Sequence, residues 1–178
     1  MNGSIVMAKI AGIESTAKIT SVRPTSAITS SSGVAIFFEG GGACWDHESC
    51  SGALGQLGAR NPNGIPDDYM KLQNFGSSLA SPFIFRLHPW SRVKTQDWNF
   101  VYVPYCTGDV FGGDKVAVYP DPKSQKPPLV WHHNGLRNAR AVVSWVKDNL
   151  ERPTQMFQTG CSAGGVGSMA NYHHMRRD

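Results

Sequence analysis

The sequence is short of charge, and what charge it has is spread out. Only 17% of its 178 residues are Asp, Glu, Lys or Arg, and the formal net charge is +4. The cations are scattered in pairs, as at Lys123 and Lys126, Arg137 and Arg140, Arg176 and Arg177. No basic stripe interleaved with aromatics is present, so nucleic acid is not the expected partner. Long apolar runs are missing too. No stretch of 18 apolar residues occurs, and no helical membrane span is expected. The N-terminus has no charged start followed by an apolar block, so a signal peptide is not expected there as the sequence stands. Residues 1–32 are Ser/Thr-rich, weakly patterned and poorly determined, fixing no element. Cysteine is limited to four residues, and no internal repeat appears. What is left is 40% hydrophobic, enough for one ordered domain with a real core.

The patterned part begins at residue 33. Val34 to Phe38 is a continuous apolar run of β-branched and aromatic residues, the mark of a strand covered on both faces. Gly40, Gly41 and Gly42 follow almost at once. Residues 44–98 read as an insertion of loops and short helices, with a turn at Asn61–Gly64 and a short helix from Asp67 to Phe75 capped by Asp67. Its aromatics Phe83, Phe85 and Trp90 suit a core or a pocket lid. Trp98 to Tyr105 reads as a second strand stopped by Pro104, and residues 123–128 as a linker. Leu136, Ala139, Val143, Val146 and Leu150 recur at helical spacing after a cap at Asn134. A third strand, Thr154 to Thr159, leads into Gly160-Cys161-Ser162-Ala163-Gly164 and a small-residue helix start. Strands alternating with helices imply a mostly parallel α/β sheet with helices on both faces. In that order the last strand lies at an apolar edge.

Strand, glycine-flanked serine and helix together make the context of a nucleophile elbow. Ser162 is the candidate nucleophile and the Ala163 N–H a candidate oxyanion donor. Gly40 to Gly42 sit at the carboxyl end of an earlier strand, where ligands bind in open α/β sheets, so their amides can supply further donors. Cys44, His47 and Cys50 at spacing three invite a metal reading, but no second Cys/His cluster completes a four-ligand set, so no metal is expected. In an oxidising compartment a local disulfide between Cys44 and Cys50 is the alternative. Cys161 reads as a small buried hydrophobe. His132 and His133 suit cap or loop roles, because a base there would reverse the order of the hydrolase triad. His173 and His174 ride the helix leaving Ser162 and point away from it.

Four ordered motifs carry a resemblance: Phe37 to Asp46 (FFEGGGACWD), Val103 to Asp109 (VPYCTGD), His132 to Gly135 (HHNG) with Asn138, and Gly160 to Gly165 (GCSAGG). The set resembles the pectin acetylesterase/Notum family of serine carboxylesterases, nearest its bacterial-type members, from about residue 34 onward. The resemblance implies an α/β-hydrolase fold that hydrolyses acyl esters on secreted glycans or proteins without a cofactor. O-deacetylation of an acetylated polysaccharide such as pectin leads. Removal of a longer acyl chain, or a non-catalytic remnant that binds glycans, are the alternatives. It places the nucleophile at Ser162, oxyanion donors at Gly41, Gly42 and Ala163, and a bond between Cys44 and Cys50. The triad Asp and His of that family lie downstream of residue 178, and only sixteen residues follow Ser162. No upstream cysteine is left to pair with Cys106. The sequence is therefore expected to be an incomplete α/β-hydrolase domain over 33–178: a fragment, a faulty gene model or a degenerate copy. Almost no turnover is expected from it alone, and nothing in it specifies an oligomeric state.

Overall fold

The computed structural model describes residues 5–10, 17–21, 33–65, 69, 94–95 and 98–177. Its main sheet has five strands in the order β2-β1-β4-β3-β7. They are β1 (Ile5–Ile10), β2 (Ala17–Ser21), β3 (Gly33–Phe38), β4 (Asn99–Val103) and β7 (Gln155–Gly160). The pairs β1/β4, β3/β4 and β3/β7 are parallel, and only β1/β2 is antiparallel. The α/β-hydrolase-like fold class read from the sequence is what is seen. The weakly patterned N-terminus supplies two strands that the sequence does not announce.

The apolar run of β3 forms an inner strand between β4 and β7, and both its faces are covered. Val34, Ile36 and Phe38 point to one face and pack with Val101 and Val103 of β4. On that face lie α2 (Gly135–Asn149), through Ala139, Val142, Val143 and Val146, and α3 (Ala163–Arg177), through Ala163 and Met175. Phe37 stacks on Tyr102 on the opposite face, where Trp98, Phe100 and Tyr69 gather. β7 is the edge strand of the described sheet, and Met156 is 40% exposed there. Tyr69 is helical, but the rest of the helix expected at Asp67–Phe75 and the aromatics Phe83, Phe85 and Trp90 lie outside the described residues.

Three sequence expectations are corrected. Asn134 makes no side-chain cap bond to α2. The carboxylate of Asp109 does that work from another loop, accepting the Gly135 N–H at 2.7 Å, and Leu136 N–H donates to the Gly113 carbonyl at 3.0 Å. Gly135 permits this, since a Cβ there would collide with Asp109 and meet Phe111 Cα at 2.6 Å. The supposed linker at 123–128 belongs to the tip of an antiparallel hairpin, β5 (Lys115–Tyr119) with β6 (Leu129–His133). Asp121 closes the tip by accepting the N–H groups of Lys123, Gln125 and Lys126 at 2.8–3.0 Å. His132 and His133 are therefore strand residues, not caps or loop residues.

His133 is buried, with Nε2 2.8 Å from the Tyr119 hydroxyl and Nδ1 3.2 Å from the Thr107 carbonyl. Burial holds its pKa below the ordinary 6.5, against the opposing pull of Asp109 and the Thr107 carbonyl. The unfolded chain binds this proton more tightly than the folded one, so the contribution is complete above pH 6.5 and is lost as pH falls below it. Urea denaturation should show stability dropping from pH 7.5 to about 5.5, above the range where carboxylates titrate. His133→Gln should flatten that slope, and an unchanged slope would refute the assignment.

Candidate active site

The elbow is built from backbone in close contact. β7 enters at Gly160, and Ser162 sits between strand and helix at φ +52°, in the left-handed region that costs a non-glycine residue about 1–3 kcal/mol. Side chains are excluded on both sides of it. A Cβ on Gly160 would collide with Gly164 and lie 2.8 Å from the Phe38 carbonyl oxygen, and one on Gly164 would collide with that oxygen. The turn closes through Gly164 N–H to the Cys161 carbonyl and Gly165 N–H to the Ser162 carbonyl, both at 2.9 Å. The Ala163 N–H has no hydrogen-bond partner among the described residues. It stands at the amino end of the 15-residue helix α3, where the helix dipole is positive.

The glycine run lies at the same end of the sheet. Phe38 is level with Gly160 in the parallel β3/β7 ladder, so the two chains leave the sheet side by side. A Cβ on Gly40 would fall 2.6 Å from the Cys161 carbonyl oxygen and 3.4 Å from Ser162 Cβ. Gly40 and Gly41 line a cleft of about 700 Å³ together with Ser162, Phe37, Arg60 and Tyr102. Gly42 packs instead against Leu57 and Gly58, and the next amide, Ala43 N–H, donates to the Leu57 carbonyl at 3.1 Å. Ser162 and Cys161 are both exposed at the mouth of this cleft. Cys161 is thus not the buried small hydrophobe expected, because the elbow turns its strand out of the sheet at that residue. Cys106 is the more buried thiol, pushed up to about 12 by burial and then by Asp109 and Glu39.

A polar cluster under the cleft is not evident in the sequence. Glu39 is 3% exposed. Its carboxylate accepts the Tyr105 N–H at 2.8 Å and the Tyr69 hydroxyl, and pairs with Arg60 Nε at 3.1 Å. Burial first, and Glu39 after it, drive the hydroxyls of Tyr69 and Tyr102 above their ordinary pKa of 10, so both are protonated donors at neutral pH. The one sequence signal was an acid set directly after a doubly buried strand.

Cys44 and Cys50 are joined by a disulfide with Cα atoms 4.8 Å apart. It encloses α1 (His47–Cys50), whose cap Asp46 accepts the Ser49 N–H at 2.8 Å. Hydrogen bonds from the Ser49 side chain and backbone hold the Asp46 carboxyl below the usual 3.8. The imidazole beside the two sulfurs is that of His133, not His47: ligand atoms of Cys44, Cys50 and His133 lie within 4.8 Å. With the sulfurs bonded to each other, neither is a thiolate ligand. His173 and His174 follow Ser162 by eleven and twelve residues, and at 1.5 Å per residue the helix carries them about 16–18 Å away. Among the described residues no hydrogen bond reaches Ser162 Oγ.

A mostly parallel sheet with a strained serine between an inner-strand neighbour and a helix defines an α/β-hydrolase-like protein. The family profile described as Pectinacetylesterase matches residues 24–178, and the chain belongs to that family. Pectin acetylesterase 5 of Arabidopsis thaliana is 26% identical over 144 residues, covering 79% of this chain and 29% of that protein. Pectin acetylesterase 4 of the same plant is 25% identical over 79% of this chain and 31% of its own. The palmitoleoyl-protein carboxylesterase NOTUM of Schmidtea mediterranea is 24% identical over 80% of this chain and 24% of its own. The chain thus spans under a third of the length of these curated relatives. No solved structure gives a significant match.

Two stability outcomes follow from this packing. Gly164→Ala should cost about 3 kcal/mol or more, because the new methyl meets main chain and not a movable side chain. Gly165→Ala, in the same helix and with its nearest contact at an ordinary 3.4 Å, should be neutral or stabilising by up to about 1 kcal/mol. Equal losses in a thermal melt would refute the close-approach account. Removing the disulfide as Cys44→Ala with Cys50→Ala should cost about 2 kcal/mol in urea, as expected for so short a loop. An unchanged midpoint would show that the loop is held without it.

Proposed function

We propose that Ser162 is the nucleophile of a serine carboxylic ester hydrolase whose first reaction is O-deacetylation of an acetylated polysaccharide such as pectin. The observation that carries the reading is Ser162 at φ +52°, exposed at the cleft and level with the glycine turn. In the reaction Ser162 Oγ attacks the acyl carbon and loses its proton to a base. The carbonyl oxygen becomes an oxyanion facing the N–H groups of Ala163 and Gly41, and the sugar hydroxyl leaves with a proton. Gly42 lies outside the cleft lining and can join these donors only if the turn shifts. Water then hydrolyses the acyl-serine. Family membership supports the ester chemistry, and the names of the two plant relatives support the acetyl group.

A longer acyl chain is the second reading. A cleft of about 700 Å³ walled partly by Phe37 and Tyr102 exceeds the needs of an acetyl group, and one relative is named for a palmitoleoyl ester. The Cys44–Cys50 bond suits an oxidising, extracellular setting for either reading.

These residues by themselves should turn over almost no ester, since among the described residues no hydrogen bond reaches Ser162 Oγ and an unactivated serine hydroxyl is a weak nucleophile. Incubation with p-nitrophenyl acetate should release nitrophenolate near the uncatalysed rate and leave acetyl on Ser162, detected by peptide mass. Steady turnover abolished by Ser162→Ala would overturn the expected near-inactivity and show that a base lies within the chain. Further loss with His132→Ala would name that base. Acetyl found on other side chains of the wild-type chain and none on Ser162 would overturn the nucleophile assignment.

A further inference from the structure

Glu39 is a charged side chain where an apolar one would fill the space. It follows directly on a strand buried on both faces and is itself 3% exposed. Burying a carboxylate costs several kcal/mol unless donors surround it, and here they come from three parts of the chain. Tyr105 N–H arrives from the end of β4, Arg60 Nε from the cleft wall, and the Tyr69 hydroxyl from beyond that wall. The Glu39 N–H itself donates to the Val103 carbonyl at 2.9 Å, extending the β3/β4 ladder one residue past the strand.

Two of these partners also grip the glycine turn. A Cβ on Gly41 would lie 2.8 Å from Tyr105 Cδ1 and 2.9 Å from Arg60 Cβ. Gly41 therefore sits between the ring of one Glu39 partner and the stem of another. On its other side the turn rests on the elbow, with Gly40 against the Cys161 carbonyl. The turn makes few main-chain bonds of its own to fix its amides. What holds its far side is side-chain packing, by two residues whose Tyr105 N–H and Arg60 Nε are bound by the Glu39 carboxylate.

We propose that Glu39 is a positioning residue: with Arg60 and Tyr105 it fixes the Gly40–Gly41 main chain relative to Ser162, so that the turn's amides face the charge formed there. The assignment rests on the esterase reading above and adds the device that orients its oxyanion donors. Glu39 touches no reacting atom. Its effect runs through Arg60 and Tyr105 to the turn, and removing its charge should move the donors without removing the serine.

The test needs no turnover. A p-nitrophenyl alkylphosphonate modifies serine in one step: Ser162 Oγ bonds to phosphorus, nitrophenolate leaves, the serine proton goes to solvent, and negative charge builds on the phosphoryl oxygen. The neighbouring exposed Cys161 is alkylated by iodoacetamide without forming any oxyanion, so it reports local access and folding. In Glu39→Gln, Ser162 phosphonylation should slow about tenfold or more, within the range seen when oxyanion donors are lost. Cys161 alkylation, mapped by peptide mass, should change less than about twofold. Arg60→Lys keeps a cation beside the carboxylate but shortens the fork, and should give an intermediate loss in a chain that stays folded. Both rates changing together, or neither changing, would overturn the assignment and leave Glu39 a structural residue. A wild-type chain whose Ser162 is no more reactive than its other serines would overturn the esterase reading, and this inference with it. A reactive wild type matched by both variants would overturn this inference alone.

Discussion

Main chain meets main chain where β3 and β7 leave the sheet, and the rest of the site depends on that contact. The Phe38 carbonyl oxygen lies 2.8 Å from where a Cβ of Gly160 would be and closer still to where one of Gly164 would be. With those two side chains absent, α3 starts directly over the end of β3. The chain must then reverse within two residues, and Ser162 takes the left-handed conformation that the reversal requires. The same contact brings Gly40 against Cys161, so the glycine turn and the serine share one end of the sheet. Strain of this kind persists only where surrounding packing over-determines it. Here the packing is β3 held between β4 and β7 and covered on both faces.

Two carboxylates hold the loops that this contact brings together. Glu39 after β3 accepts the Tyr105 N–H. Asp109, on the loop after β4, accepts the N–H groups of Gly135 and Phe111 and the Thr107 hydroxyl. Each acid satisfies amides that no ladder or helix can reach. The segment Asp109–Phe111 contains a second strained turn, with Val110 at φ +57° and Phe111 at φ +60°. Phe111 then fills the hollow that Gly167 leaves in α3, and Asn171 donates to the Phe111 carbonyl at 2.9 Å. The helix behind Ser162 is therefore pinned by the loop after β4 as well as by β3. A buried carboxylate is weak as a source of stability but strongly directional. That suits loops whose task is to hold amides in place.

What was legible in the sequence was whatever depends on a local pattern. The unbroken apolar run at Val34–Phe38, the helical spacing of Ala139, Val143 and Val146, and the glycines around Ser162 each report a requirement met within a few residues. The cap of α2 was not legible, because Asp109 acts from 26 residues away while Asn134 offers the right side chain in the wrong geometry. The hairpin Lys115–His133 was hidden by its tip. A polar, proline-containing stretch reads as a linker until Asp121 is seen folding it with three amide bonds. Cys161 misled for a related reason. Composition says that a cysteine beside a strand is buried, but the turn of the elbow carries it outward. Glu39 and its partners Arg60, Tyr69 and Tyr105 are distant in sequence and meet only in space, so no spacing rule could assemble them.

The disulfide belongs to this same set of long-range ties. Cys44 N–H donates to the Gly108 carbonyl at 2.7 Å, inside the loop that Asp109 organises. Gly108 must itself be glycine, at φ +64° and with Cys44 pressed against the position of a Cβ. Trp131 of the hairpin packs on Cys44, Cys50 and Ala59, and its Nε1 donates to the Thr107 carbonyl at 2.9 Å. One small cluster thus joins three things: the wall of the cleft at Ala59, the loop after β4, and the inner face of the hairpin. The apolar area in that cluster is modest, so covalent closure matters more there than in the main core. The cleft wall opposite Ser162 is held by a bond, a carboxylate and a few aromatic contacts rather than by the sheet, and its shape is the part of the site most open to change.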